Sequence, residues 1–184
     1  AMKKWQLVFL FTVLVAGLVV AAPGDSFDKV PPVGADSAQI VIYRLKGAQA
    51  LKVYLFDATE ALAAGRLTLR TDRTDLKVSF PEAYTEAKEL GLLKSGEFVV
   101  LNVSPGTYTF FISQPPEKVN HVGWTAGQMG ESDKVTQFDV KAGERKYARI
   151  VFAFGGHPWL TPVPEEEASA NMHKYKESAL AKLK

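Results

Sequence analysis

The sequence predicts a mainly β domain, an antiparallel β-sandwich with a short inserted helix and a carboxyl-terminal helix, and three observations carry that prediction. Short runs of alternating apolar residues recur near positions 40, 53, 67, 78, 100, 110, 137 and 150. Turn residues punctuate them, most plainly Pro105-Gly106 and Ala142-Gly143. Charged residues gather in the turns and at strand ends, while Val, Ile, Phe and Tyr fill the runs, a distribution that suits a closed or two-layered sheet.

The first 22 residues precede that pattern. Lys3 and Lys4 are followed by an apolar run from Leu7 to Val20, broken only by Thr12 and Gly17, and then by Ala21 and Ala22. This is the pattern of a secretion signal, cleaved after Ala21 or retained as an anchor. No cysteine follows it, so a lipidated cysteine is excluded for this chain. Residues 23–37 are rich in Pro, Gly, Asp and Ser and predict a flexible linker. The β domain is expected over 38–160 and a helix over 161–184.

Within the domain, Ile40, Ile42 and Arg44 alternate with Val41 and Tyr43. Leu51, Val53 and Leu55 alternate with Lys52, Tyr54 and Phe56, so the second strand is apolar on both faces and is expected either to be central in a sandwich or to be covered on its second side by something else. RLTLRTD and KVSF are shorter strand signals. PEAYTEAKELG predicts a helix, with Pro81 in its first turn, Gly91 closing it, and Ala83, Ala87 and Leu90 along one face. In GEFVVLNV, Phe98 and Val100 oppose Val99, Leu101 and Val103, and Ser104-Pro105-Gly106 is expected to fold the next strand back beside it as an antiparallel neighbour. The turn Lys141-Ala142-Gly143-Glu144 repeats that arrangement. At the end, Thr161 as cap, Glu165 to Glu167 at the amino end and lysines toward the carboxyl end predict a helix aligned with its dipole, with Ala168, Met172, Tyr175, Ala179 and Leu180 as an apolar stripe.

Composition narrows the chemistry. The chain has 22 basic and 20 acidic residues, and Lys3 and Lys4 account for the difference, so the exported part is neutral and lacks the basic footprint of a nucleic-acid binder. Absence of cysteine removes disulfides, thiol nucleophiles and thiolate metal sites. His121, His157 and His173 show no ligand spacing, and neither GxSxG, SxxK, GxGxxG nor a Walker loop occurs. Asp57 with Glu60, Asp72 with Asp75, and Glu165 to Glu167 are the carboxylate groupings; capping and turn roles account for them better than a hydrolytic pair. No catalytic residue, cofactor or metal is expected.

Three sets of residues offer contact chemistry instead. Between Gln114 and Lys134 lies a connection of about twenty residues, far longer than a hairpin needs, with His121, Trp124, Gln128 and Met129 as contact candidates. Tyr43 with Arg44, and Tyr147 with Arg149, form aromatic and basic pairs that suit a glycan or an anionic lipid head group. Met172 and Tyr175 on the terminal helix are candidates for docking a partner.

AQIVIYRLK, GEFVVLNVSPGTYTFFIS and FDVKAGERKYARIVF together resemble an uncharacterised bacterial envelope domain family with a predicted transthyretin-like β-sandwich. Tyr43 and Arg44 end the early strand, Pro105 and Gly106 supply the middle turn, and Ala142 and Gly143 precede a late strand with Tyr147 and Arg149. The resemblance spans roughly residues 38 to 155 and implies fold more than function. The expected function is a noncatalytic exported domain, in the periplasm or on the outer face of the cytoplasmic membrane, that binds an envelope protein or stabilises an envelope assembly. A glycan- or lipid-binding sandwich is the second reading and a hydrolase the third. The sequence fixes neither the partner nor the oligomeric state.

Overall fold

In the computed structural model, the described residues are Phe27 and residues 30–47, 52–73, 75–79, 82–113, 132–152, 158–173 and 175–177. The described residues form eleven strands and three short helices. The strands are β1 (Ala38–Arg44), β2 (Tyr54–Asp57), β3 (Leu69–Asp72), β4 (Asp75–Ser79), β5 (Lys88–Leu92), β6 (Glu97–Val103), β7 (Gly106–Ser113), β8 (Ser132–Val140), β9 (Arg145–Val151), β10 (Trp159–Val163) and β11 (Lys176–Glu177). The helices are α1 (Thr59–Ala63), α2 (Glu82–Glu86) and α3 (Glu165–Met172). Every alternating run became a strand; β5, β10, β11 and α1 had no counterpart in the sequence reading.

Two sheets result. The first has the order β10-β9-β1-β6-β11 and the second β3-β4-β8-β7-β2-β5. All pairings in the second are antiparallel, as expected. The first departs from that expectation, because β1 lies parallel to β9 and β11 parallel to β6.

The sheets face one another across a core built from the predicted inward residues. Ile40, Ile42, Val99, Leu101, Ala148 and Ile150 on the first sheet meet Val53, Leu55, Phe110, Ile112, Phe138 and Val140 on the second. Burying such a set supplies most of the favourable folding free energy, since each large aliphatic or aromatic side chain contributes roughly 1.5–3 kcal/mol.

Both outer faces are covered too, which explains the two-sided apolar strands. Behind the second sheet, Phe56, Phe111, Val78 and Val135 pack on Ala61 of α1 and on Ala83 and Ala87 beside α2. The rings of Phe56 and Phe111 stack at 4.8 Å. Behind the first sheet, Val41, Tyr43, Phe98, Val100 and Tyr147 pack under Ala168, Met172, Tyr175, Phe27 and Val30. The result is a sandwich of sheets inside two thinner layers.

Four expectations are corrected. Ser104-Pro105-Gly106 does not join paired neighbours: β6 belongs to the first sheet and β7 to the second, so this turn crosses the sandwich. The Lys141–Glu144 turn crosses it in the same way between β8 and β9. The inserted helix is a single turn, after which the chain extends into β5; Leu90 then enters the inter-sheet core while Ala83 and Ala87 stay on the outer face, so the three share no helical stripe. Gly91, expected to close the helix, lies in β5 at φ 130 where β2 changes register, Leu55 pairing with Gly91 and Phe56 with Glu89. At the carboxyl end, residues 159–163 are strand rather than helix, α3 ends at Met172, and its last turn contains no basic residue. The predicted stripe residues Ala179 and Leu180 lie outside the described residues.

Phe27 and residues 30–37 of the expected linker also pack on the domain. Phe27 sits edge-on to Phe98 at 5.7 Å and to Tyr147 at 6.3 Å, and Val30 packs beside it. Pro31 offers its carbonyl to Arg145 Nη2 at 2.7 Å and to Gln39 Nε2 at 3.3 Å. Apolar residues in this proline-rich stretch make it a strap across the first sheet.

Candidate interaction surface

Residues at one level on neighbouring strands share a face, so the outer side of the first sheet reads as three rows. Gln39, Asn102 and Arg145 form the first, Val41, Val100 and Tyr147 the second, and Tyr43, Phe98 and Arg149 the third. Gln39 is 3% exposed, and its amide is satisfied by Asn102 Oδ1 at 2.9 Å and by Arg145 Nε at 2.6 Å. A buried amide left without partners costs about 1–3 kcal/mol; here the same arginine also pins the strap.

Helix α3 begins after Pro164, which is extended at φ −63 and ψ 153, and carries Glu165, Glu166 and Glu167 in its first turn. That placement matches the helix dipole. It also latches the helix down: Tyr147 Oη donates to Glu165 Oε1 at 3.0 Å, Arg149 Nη1 pairs with Glu167 Oε1 at 2.7 Å, and Asn171 Nδ2 donates to Tyr43 Oη at 3.4 Å. Burial pushes the Tyr43 and Tyr147 hydroxyls up from their ordinary pKa.

The candidate residues therefore separate. Tyr43, Arg44, Tyr147, Met172 and Tyr175 are buried. They are not a surface, because the apolar second face of β1, β6 and β9 requires a cover and α3 with the strap supplies it. Arg44 directs Nη1 to the Leu93 carbonyl at 3.0 Å and lies 4.9 Å from the Phe152 ring. Burial lowers its pKa while Glu97 opposes that shift. Met172 and Tyr175 belong to the same internal cover, Tyr175 Oη accepting the Lys46 amide at 3.0 Å. Arg149 alone of this group is substantially solvated, 31% exposed beside Glu167. His121, Trp124, Gln128 and Met129 lie outside the described residues, between the ends of β7 and β8.

The carboxylate groupings are occupied structurally. Asp57 Oδ1 accepts the Thr59 amide at the start of α1, Asp72 pairs with Lys77, and Asp75 pairs with Lys134. Among the described residues no group of three or more His, Cys, Asp or Glu is placed to hold a metal ion, and no helix is long and apolar enough to cross a membrane. A cleft of about 440 Å³ opens beside the ends of β9 and β10, lined by Arg145, Lys146, Tyr147, Pro162, Val163 and Glu165 among others. Its polar side chains already hold internal partners: Arg145 binds Gln39, Lys146 binds Glu144, and Tyr147 binds Glu165.

One contact residue escaped the sequence reading. Trp159, half-buried at the start of β10, lies 5.7 Å from Lys134 Nζ near the start of β8. The alternation in WLTPV is a strand signal, masked by Pro162, which a sheet tolerates because β10 is an edge strand. These strand ends share one end of the sandwich. Arg44 reaching Leu93 and Lys134 reaching Trp159 tie the two sheets together there. Comparison with protein-family models, with curated proteins and with solved structures finds no match to this chain.

Proposed function

We propose that this is an exported, noncatalytic β-sandwich of the cell envelope that binds a protein partner at the end of the sandwich from which the 114–131 segment departs. One observation carries the reading. β7 and β8 are paired antiparallel neighbours, and such strands need a connection of only two to five residues, yet eighteen separate Ser113 from Ser132. The fold does not need that length, and its sequence includes Trp124, a residue type that supplies much contact area with one donor. The runner-up, a glycan- or lipid-binding sandwich, has the cleft in its favour, but the internal pairing of Arg145, Lys146 and Tyr147 ranks it second.

We further propose kinship with the transthyretin-like envelope domains. Tyr43-Arg44 at the end of β1 and Gly143 in the turn before β9 support it; the parallel pairing of β1 with β9 is the feature a solved member of that family must share.

The test is in-cell crosslinking of the full chain, with mass spectrometry of the crosslinked peptides. Crosslinks from 114–134 to one envelope protein are expected, and they should disappear when 114–131 is replaced by Asn-Gly. That replacement should change stability by only about 1–2 kcal/mol, because loop entropy varies slowly with length. Undiminished crosslinks in the shortened chain would move the partner surface elsewhere.

A further inference from the structure

The geometry points to a domain held against a lipid bilayer by a retained apolar segment, with the strap and α3 layer toward the membrane; this rests on the export reading above. The decisive feature is how early the chain docks. Phe27 is fixed between Phe98 and Tyr147, and its carbonyl accepts the Val30 amide at 3.0 Å. The apolar run ends at Ala22, so only residues 23–26 intervene. Five Cα steps span at most about 18 Å.

The sandwich is thicker than that reach. Two sheets packed about 10 Å apart, with a layer of helix on each side, put the α1 and α2 layer about 30 Å beyond the strap. A joint of about 18 Å cannot pass around the molecule to place α2 at the bilayer. A retained run is the premise of this orientation, and intact mass from expressing cells tests it directly. The apposition is imposed by the tether and not by charge: Glu165, Glu166 and Glu167 lie in the same layer and give it no attraction for anionic lipid.

The consequence for function is directional. Thr71 and Thr85, exposed on the outer side of the second sheet, face away from the bilayer and remain open to soluble partners.

Absence of cysteine makes the test direct. Full-length chain carrying Ala170→Cys on α3 or Thr85→Cys on α2 is labelled with a fluorophore and reconstituted into phosphatidylcholine vesicles bearing a head-group quencher. Quenching at position 170 is expected to exceed that at 85 at least threefold. A twelve-residue Gly-Ser spacer between residues 26 and 27 should bring the two toward equality, because its end-to-end distance of about 19 Å roughly doubles the reach. Equal quenching without the spacer overturns the orientation. Intact mass from expressing cells provides the second arm: a chain beginning at Ala22 overturns the retained anchor while leaving export intact, and a chain confined to the cytoplasm overturns the export reading itself.

Discussion

The two ends of the sandwich differ in how the chain turns. At one end, Ser104-Pro105 and Lys141–Glu144 carry the backbone from one sheet to the other in a few residues, and Gln39, Asn102, Arg145 and the Pro31 carbonyl close over them in a bonded cluster. At the other end, β7 and β8 are joined by eighteen residues and β9 and β10 by seven, although each pair is adjacent in its sheet. The short end spends its polar chemistry on the fold. The long end carries chain the fold does not need, which is where a rigid scaffold usually presents its contact residues.

The largest effect that would test this contrast is at Arg145. Arg145→Ala removes the donor to Gln39 and one anchor of the strap, leaving a buried amide short of a partner. A loss of about 2–3 kcal/mol is expected in chemical denaturation, with an unchanged denaturant slope. Trp124→Ala, at the other end, should change stability by less than about 0.5 kcal/mol while weakening partner recovery. Comparable destabilisation by both substitutions would erase the division between a structural and a presenting end.

A smaller effect is expected at Gly143. Its φ of 74 is left-handed, and a Cβ built there meets nothing within 4 Å. Gly143→Ala therefore isolates backbone strain from packing, and a cost of about 1–2 kcal/mol should appear in the melting temperature. A neutral result would mean that the crossing turn tolerates another conformation, and that the short end is less fixed than its hydrogen bonds indicate.

Strand placement was legible because alternation is local: Ile40, Val99 and Phe110 each declared a face with the neighbours beside them in sequence. What the strands pair with was not local. Pro105-Gly106 and Ala142-Gly143 mark turns, but a turn signal is the same whether the next strand joins the same sheet or the opposite one, and both crossings were missed for that reason. Tyr43, Tyr147 and Tyr175 were read as surface because a second apolar face has no local sign of its cover; that cover is α3 and the strap, 18 residues after Tyr147 for the Glu165 bond and 16 before Tyr43 for Phe27. The PEAYTEAKELG helix failed because its propensity competed with a vacancy beside β2, and pairing Glu89 and Gly91 with that strand won.

The finest distinction between the ends is electrostatic and lies in the Lys141–Glu144 turn. Glu144 accepts the Lys141 amide at 2.9 Å and pairs with Lys146 at 2.6 Å. The Lys146 ammonium, and then the Lys141 amide, hold its carboxyl below the usual carboxylate range. A lowered folded-state pKa contributes stability above the unfolded carboxylate pKa, and the contribution fades as pH falls through the folded value. Glu144→Gln should thus melt slightly lower than the parent near neutral pH, and the two melting curves should converge on acidification below the ordinary carboxylate range. The pair is solvated, so the difference should also shrink in high salt. A gap that persists in acid would assign the role of Glu144 to the geometry of its amide-accepting oxygen, which glutamine alters, and not to its charge.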